Sequence, residues 1–346
     1  MKKILITLSI VISGFTLSAQ DYHYSMFTMS PLTLNPALTG NFTGDLRIVN
    51  NYRMQWSTVG KPFTTYSFGG DMPLARRDKK KSSPDFFAVG LNVNVDKAGT
   101  TLLKNNSYNG SFSYNKSLDG VGATYFSMGA QLGVCQRSIT LADASWGRQW
   151  NGLAYDGSLS NGEVIGLGDS YSFMDFAVGV AVTSVGNDRF KMNGGIAAFH
   201  LNRPRIDFLG KEDKMYMKYG FHWKAEVALG ANSNAWLIPQ AQVVLQGPAR
   251  LINLGAGVKY RLTERSRYTG YQNEKSFTIG GMYRMGDAMS GFLRLDISGV
   301  GFAFNYDLNV SKLTAASDGR GAFEFMLIYT GIYSNRNTRS DNKSFF

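Results

Sequence analysis

Residues Val300–Ser311 read V-G-F-A-F-N-Y-D-L-N-V-S. The even positions, Val300, Phe302, Phe304, Tyr306, Leu308 and Val310, are apolar or aromatic. The odd positions, Gly301, Ala303, Asn305, Asp307, Asn309 and Ser311, are small or polar. Side chains on a strand alternate between its faces, so the segment has one greasy face and one small, polar face. Its length suits a tilted strand crossing a bilayer, which takes roughly 9–11 residues. We read it as one membrane-spanning strand of a closed barrel, aromatics toward lipid and Asn and Asp toward the lumen.

The same alternation recurs along the chain. It predicts strands at Asp45–Met54, Pro62–Met72, Asp85–Lys97, Lys104–Lys116, Thr124–Gln136, Tyr171–Ser184 and Phe190–Asn202. Further strands follow at Met215–Gly230, Ala235–Gln246, Leu251–Leu262, Glu274–Gly286, Ser290–Ser298 and Arg320–Ile332. With the opening stretch these make fourteen, an even number as bacterial barrels require. The fold class is therefore all-β, a transmembrane antiparallel β-barrel with a short N-terminal plug or collar.

The composition agrees. Of 346 residues 39 are glycine, 13% are aromatic and only 18% are charged. After the N-terminus no apolar run reaches the ~18 residues of a spanning helix. Cys135 is the one cysteine, so no internal disulfide forms, and its place on a strand pattern reads as a small lumen residue. The formal charge is +11, but the basic residues are scattered, which argues against a nucleic-acid face. The exception, Arg76-Arg77 with Lys79-Lys80-Lys81, reads as a solvated loop beside the membrane, with acidic lipopolysaccharide as a further contact.

Residues 1–19 have the form of a secretory signal: Lys2 and Lys3, an apolar Ile4–Leu17, then Leu17-Ser18-Ala19 before Gln20. Residues 20–44 do not alternate. Pro31, Pro36 and Gly40 predict turns or a short helix there, the plug or collar segment. Residues 45–334 make the barrel, and 335–346 a polar tail. The stretch Arg137–Asp169 breaks the rhythm, carries Trp146 and Trp150, and reads as an ordered extracellular loop or lumen insert.

Catalytic chemistry is sparse. His23, His200 and His222 lack metal-ligand spacing, and His200 and His222 fall in predicted strands as lumen or interface side chains. Gly168-Asp169-Ser170 resembles a hydrolase box, but no Asp-x-x-His accompanies it to activate the serine. The reading is of a protein that is not an enzyme, with no cofactor and no metal. Lys224, Glu226, Lys259, Arg261, Arg294, Asp296, Asp307 and Glu324 share phase with the small residues and so face the lumen. On the lipid face a Lys or Arg near the midplane would cost about 2–4 kcal/mol.

An ordered series of short motifs resembles the PorP/SprF family. It opens with Asn35-Pro36-Ala37-Leu38-Thr39-Gly40. Next come Tyr52-Arg53-x-Gln55-Trp56, Pro62-Phe63-x-Thr65-Tyr66-Ser67-x-x-x-Asp71 and Asp96-x-Ala98-Gly99. Then follow Gly133-x-x-Gln136-Arg137-Ser138-Ile139, His200-Leu201-Asn202-Arg203-Pro204, Gln246-Gly247-Pro248, and Tyr306-Asp307-Leu308-Asn309-x-Ser311-x-Leu313. The basic 76–81 run and the 335–346 tail depart from that pattern.

The resemblance implies an outer-membrane barrel that accompanies type IX secretion and gliding motility. It further implies partners among other secretion components, and a large adhesin cargo carrying a C-terminal sorting domain. Candidate partner-binding residues are Asn35, Pro36 and Gly40 together with Trp146 and Trp150. Signature residues are Arg53, Gln55, Trp56, Asp71, Arg137, Tyr306 and Asp307. The alternative is a passive transporter for a small or apolar solute.

Overall fold

The computed structural model describes residues 21–58, 61–74, 84–99, 103–120, 122–139, 146–160, 170–187, 189–206, 213–230, 233–263, 275–311 and 314–331. The signal-like residues 1–19, the basic 76–81 run, Gly168-Asp169 and the 335–346 tail lie outside them.

Fourteen antiparallel strands close into a barrel in sequence order. They are β1 Leu46–Gln55, β2 Phe63–Leu74, β3 Phe86–Ala98, β4 Leu103–Ser117, β5 Thr124–Ser138, β6 Ser170–Asn187 and β7 Phe190–Phe199. They continue as β8 Lys218–Ala228, β9 Ala235–Gln246, β10 Ala249–Thr263, β11 Lys275–Arg284, β12 Ala288–Ile297, β13 Val300–Asn309 and β14 Arg320–Gly331. The seam is a full ladder from Leu46 opposite Gly331 to Gln55 opposite Ala322, which leaves no sheet edge in the wall.

The alternation has the predicted sense. Phe302 and Phe304 are 43% and 42% exposed on the outer face, while Ala303, Asn305 and Asp307 between and after them are buried inside. The eight lumen-phase charges all lie on inward positions of their strands. Polar wall residues bond across the sheet: Asn94 Nδ2 donates to Ser107 Oγ at 3.0 Å and Ser127 Oγ to Asn115 Oδ1 at 2.6 Å.

Strand ends differ from the sequence reading by up to three residues, and two of the differences bear on the interior. β7 stops at Phe199 rather than Asn202, because His200 and Arg203 take left-handed backbone with φ of 59° and 44°. A residue in that conformation cannot continue a strand. β8 begins at Lys218 rather than Met215, because the Met215 N–H donates to Pro204 O within the β7–β8 connection. His200 is thus a turn residue and not a strand residue.

Odd strands run from the end where β1 begins, here the terminal end, to the far end. The two longest connections, 139–169 and 200–217, both lie at the far end. Long connections of such barrels face the cell exterior, which assigns the far end to the outside.

Residues 21–44 fill the lumen. They form a 3-10 turn at Phe27–Met29, one helical turn at Pro31–Leu34 and a 3-10 turn at Pro36–Leu38. Pro31 and Pro36 each open a turn, where a missing N–H costs nothing. Tyr24, Met26, Phe27, Met29, Leu34 and Leu38 pack against inward Val49, Met282, Phe292, Met326 and Ile328. The segment starts beside His200 and Lys218 at the far end and leaves past Pro73 and Ala88 at the terminal end, so it traverses the lumen.

Candidate functional site

Among the contacts that fix the plug, four groups involve the unusual wall residues; others include Tyr24 with Ser67 and Asn41 with Thr183. At the far end Asp21 Oδ2 meets His200 Nε2 at 2.7 Å and accepts from Lys218 Nζ at 2.8 Å. His200 Nδ1 lies 2.9 Å from Asp175 Oδ1. Burial disfavours a charged imidazole, but the two carboxylates override it and hold His200 up at about 9. Burial also opposes a charged Asp21, yet Lys218 and His200 keep its carboxyl well below the usual range.

Deeper in, Ser25 is the centre of a knot. Its Oγ accepts from Arg284 Nη1 at 2.8 Å and Arg53 Nη1 at 3.1 Å, and lies 2.9 Å from both carboxylate oxygens of Asp307. Its backbone N–H and that of Met26 donate to Glu324 at 2.7 and 3.1 Å, and its carbonyl accepts from Asn253 at 3.0 Å. Arg53 also pairs with Glu324 and with Asp307. Two guanidiniums thus balance two carboxylates, a pairing that buried charges require.

Midway, Asn35 is fully buried on the β6–β7 wall. Its Nδ2 donates to the carbonyls of Val180 and Ile196 at 3.0 and 3.2 Å, while its Oδ1 accepts from Ala37 N at 2.9 Å. Side chains reach wall carbonyls here because the wall is bare. A Cβ on Gly179 or Gly195 would strike the Asn35 side chain, and one on Gly129 would strike the Pro36–Ala37 peptide.

At the terminal end Gly40, at φ 70°, donates its N–H to Asp71 Oδ2 at 2.6 Å. Arg47 clamps the same carboxylate and donates to Leu38 O at 2.9 Å.

Of the signature residues, Arg53, Asp71 and Asp307 hold the plug. Gln55 accepts from Arg53 Nη2 at 3.3 Å, and Trp56 packs edge-on to Phe63 with centroids 5.0 Å apart. Arg137 lies over the Phe173 ring, and Tyr306 faces outward. Asn35, Pro36 and Gly40 bind the chain's own wall. Trp150 is 50% exposed in the far-end loop, where it pairs with Tyr155 and where Gln149 accepts from the Trp146 N–H.

The sequence reading passed over Arg47, Asp175, Lys218 and Arg284. Arg47 shares phase with Val49, Asn51 and Arg53, a signal that was available. Of the others, Lys218 meets Asp21 on the segment folded inside, Arg284 meets Ser25 there as well as Asp307 on β13, and Asp175 meets His200 beyond the end of β7.

The described geometry can seal a lumen and hold a short internal segment rigidly. No curated protein matches the chain. Among solved structures it resembles the CymD monoaromatic hydrocarbon channel, with 9% identity, TM-score 0.48, and coverage of 88% of this chain and 93% of that one. It also resembles the TodX monoaromatic hydrocarbon channel (8%, 0.47, 87% and 93%). A third is the Ralstonia pickettii toluene transporter TbuX (10%, 0.46, 85% and 91%). At these identities the likeness concerns the barrel and nothing it carries. The family described as type IX secretion system membrane protein PorP/SprF matches residues 16–329. The chain is therefore an outer-membrane β-barrel that belongs to the PorP/SprF family of type IX secretion membrane proteins.

Proposed function

We propose that this barrel is an accessory of type IX secretion needed to export a cognate large adhesin, or to hold it at the cell surface, through the adhesin's C-terminal sorting domain. A link to gliding motility goes with that reading. It has no catalytic step. Family membership over residues 16–329 carries the proposal. The plug supports it: a lumen crossed by a segment tied to the wall along its length suits a docking or anchoring part better than an open pore.

Cargo contact is assigned to the far-end loop with Trp146 and Trp150, since Asn35, Pro36 and Gly40 are enclosed and reach a partner only if the plug leaves. The basic 76–81 run joins β2 to β3, whose ends lie at the terminal end. On the orientation above that end faces the periplasm, toward other secretion components. The outward aromatic faces meet membrane lipid.

An in-frame deletion tests this. The adhesin should vanish from the surface of deletion cells, and return with the wild-type gene but poorly with Trp146→Ala/Trp150→Ala. Normal surface adhesin without the barrel refutes it. A passive transporter for a small or apolar solute is the second reading, favoured by a narrow cleft that opens at the far mouth between the plug and the β7–β10 wall. Steady, large conductance of the intact protein in planar bilayers would support that reading instead.

A further inference from the structure

On the outer face of the wall, two lysines stand opposite each other. Lys97 on β3 and Lys104 on β4 are register partners near the far end of the barrel. Both point away from the lumen. Lys97 shares phase with Leu91, which is 71% exposed, and Lys104 shares phase with outward Tyr108 and Phe112. Among the described strands this is the one register pair that sets cation against cation. Like charges directly opposite in a sheet are destabilising.

The protein around them does nothing to offset that charge. The flanking residues of the same row are Thr64 on β2 and Ser138 on β5, both uncharged. Asp96, the acid next to Lys97, points inward and accepts from Thr65 Oγ1 at 2.6 Å. The connection from Gly99 to Leu103 holds no acid. Among the described residues no carboxylate pairs with either lysine.

Depth on the wall decides what can. Two outward positions nearer the middle, the same register runs through Phe68, Val93, Tyr108 and Val134, an apolar row that faces lipid. Four residues of strand separate the rows, about 13 Å along a tilted strand. The lysines therefore stand where hydrocarbon gives way to lipid headgroups, a short way beyond Tyr66 and Tyr108, the residue type that marks a membrane interface. They point sideways into that layer, whereas a water-borne partner would meet the rim from above. A neutral glycan headgroup brings no counter-charge. A phosphate brings charge and several acceptor oxygens, which two ammoniums can share. We propose that Lys97 and Lys104 bind the phosphate of an outer-leaflet lipid and hold that lipid against the β2–β5 face of the barrel. The site does not depend on the secretion reading.

Native mass spectrometry of the full-length protein in nonionic detergent tests this, with dioctanoyl phosphatidic acid, dioctanoylglycerol and inorganic phosphate as probes. The two lipids share a body and differ in the phosphate. The wild type should take one phosphatidic acid roughly thirtyfold more tightly than the glycerol, the factor that two lysines supply at an anionic surface. Lys97→Gln/Lys104→Gln should lose that preference. Lys97→Arg/Lys104→Arg should keep it, as should Lys116→Gln at the opposite end of β4. Equal affinity for the two lipids overturns the proposal, as does an unchanged preference in the glutamine variant. So does displacement of the lipid by equimolar inorganic phosphate, which would make this a site for the free ion. The wild-type comparison decides the matter even if a variant does not fold.

Discussion

Arg47 and Asp71 stand opposite each other in the β1–β2 register and close a two-pronged ion pair at 2.8 and 2.7 Å, with neither side chain exposed to solvent. The pair also grips the plug, through Leu38 O and Gly40 N. It joins wall and plug in one network, so damage to it should register in both.

Asp71→Asn leaves the Arg47 charge buried without its counter-ion. Breaking a buried pair in this way costs about 3–5 kcal/mol. We expect a loss of that order in urea unfolding, with faster proteolysis within 21–44. Arg47→Met/Asp71→Leu removes both charges and should be less harmful than either single change.

Gly179→Ala places a methyl group against Asn35 Oδ1. The plug should unseat and single-channel conductance should rise. Asn35→Ala in the same chain removes the obstructed atom and should restore part of the closed state. Equal conductance in the single and double variants would show that the two residues do not meet.

The far-end latch should depend on pH. His200 is raised from 6.5 to about 9, so its contribution is complete below 6.5 and is lost as pH rises through 9. Asp21 is depressed below 3.8, so its contribution holds above 3.8 and fails only in stronger acid. A fluorophore at the plug tip should gain mobility between pH 7 and 10, and His200→Gln should abolish that transition.

Phe304→Arg puts a charge on the lipid face and should destabilise the barrel by about 2–4 kcal/mol in refolding into vesicles. Phe277→Arg on β11, also outward-facing, should behave alike, because the cost arises from the membrane and not from local packing.

The wall could be read from the sequence because every strand repeats one local rule. Val300–Asn309 shows it in ten residues, and the period of two needs no knowledge of distant neighbours. The sequence reading overruns β7 because no proline or glycine interrupts the run between Phe199 and Asn202, and nothing in the type of His200 announces a φ of 59°; its even position, shared with outward Ile196, was the signal against it. The interior was harder. Arg53 and Glu324 are 271 residues apart and Ser25 and Asp307 are 282 apart, so no local pattern links them. Arg53, Asp71 and Asp307 could be singled out by motif, but their task could not, since it exists only once residues 21–44 lie inside. Gly129, Gly179 and Gly195 look like ordinary barrel glycines until Asn35 and Pro36 are laid on them.

The enclosure of residues 21–44 constrains the order of assembly. Ser25 holds groups from β1, β10, β11, β13 and β14 at once. The last strands of the chain therefore complete the cradle of its first described residues. A preformed cylinder would have to be threaded from one mouth against a tight interior. A sheet that curls around the segment meets no such barrier, and its closing stroke brings Glu324 to Ser25 as β14 docks on β1. Sealing the circumference and capturing the occupant are then one event.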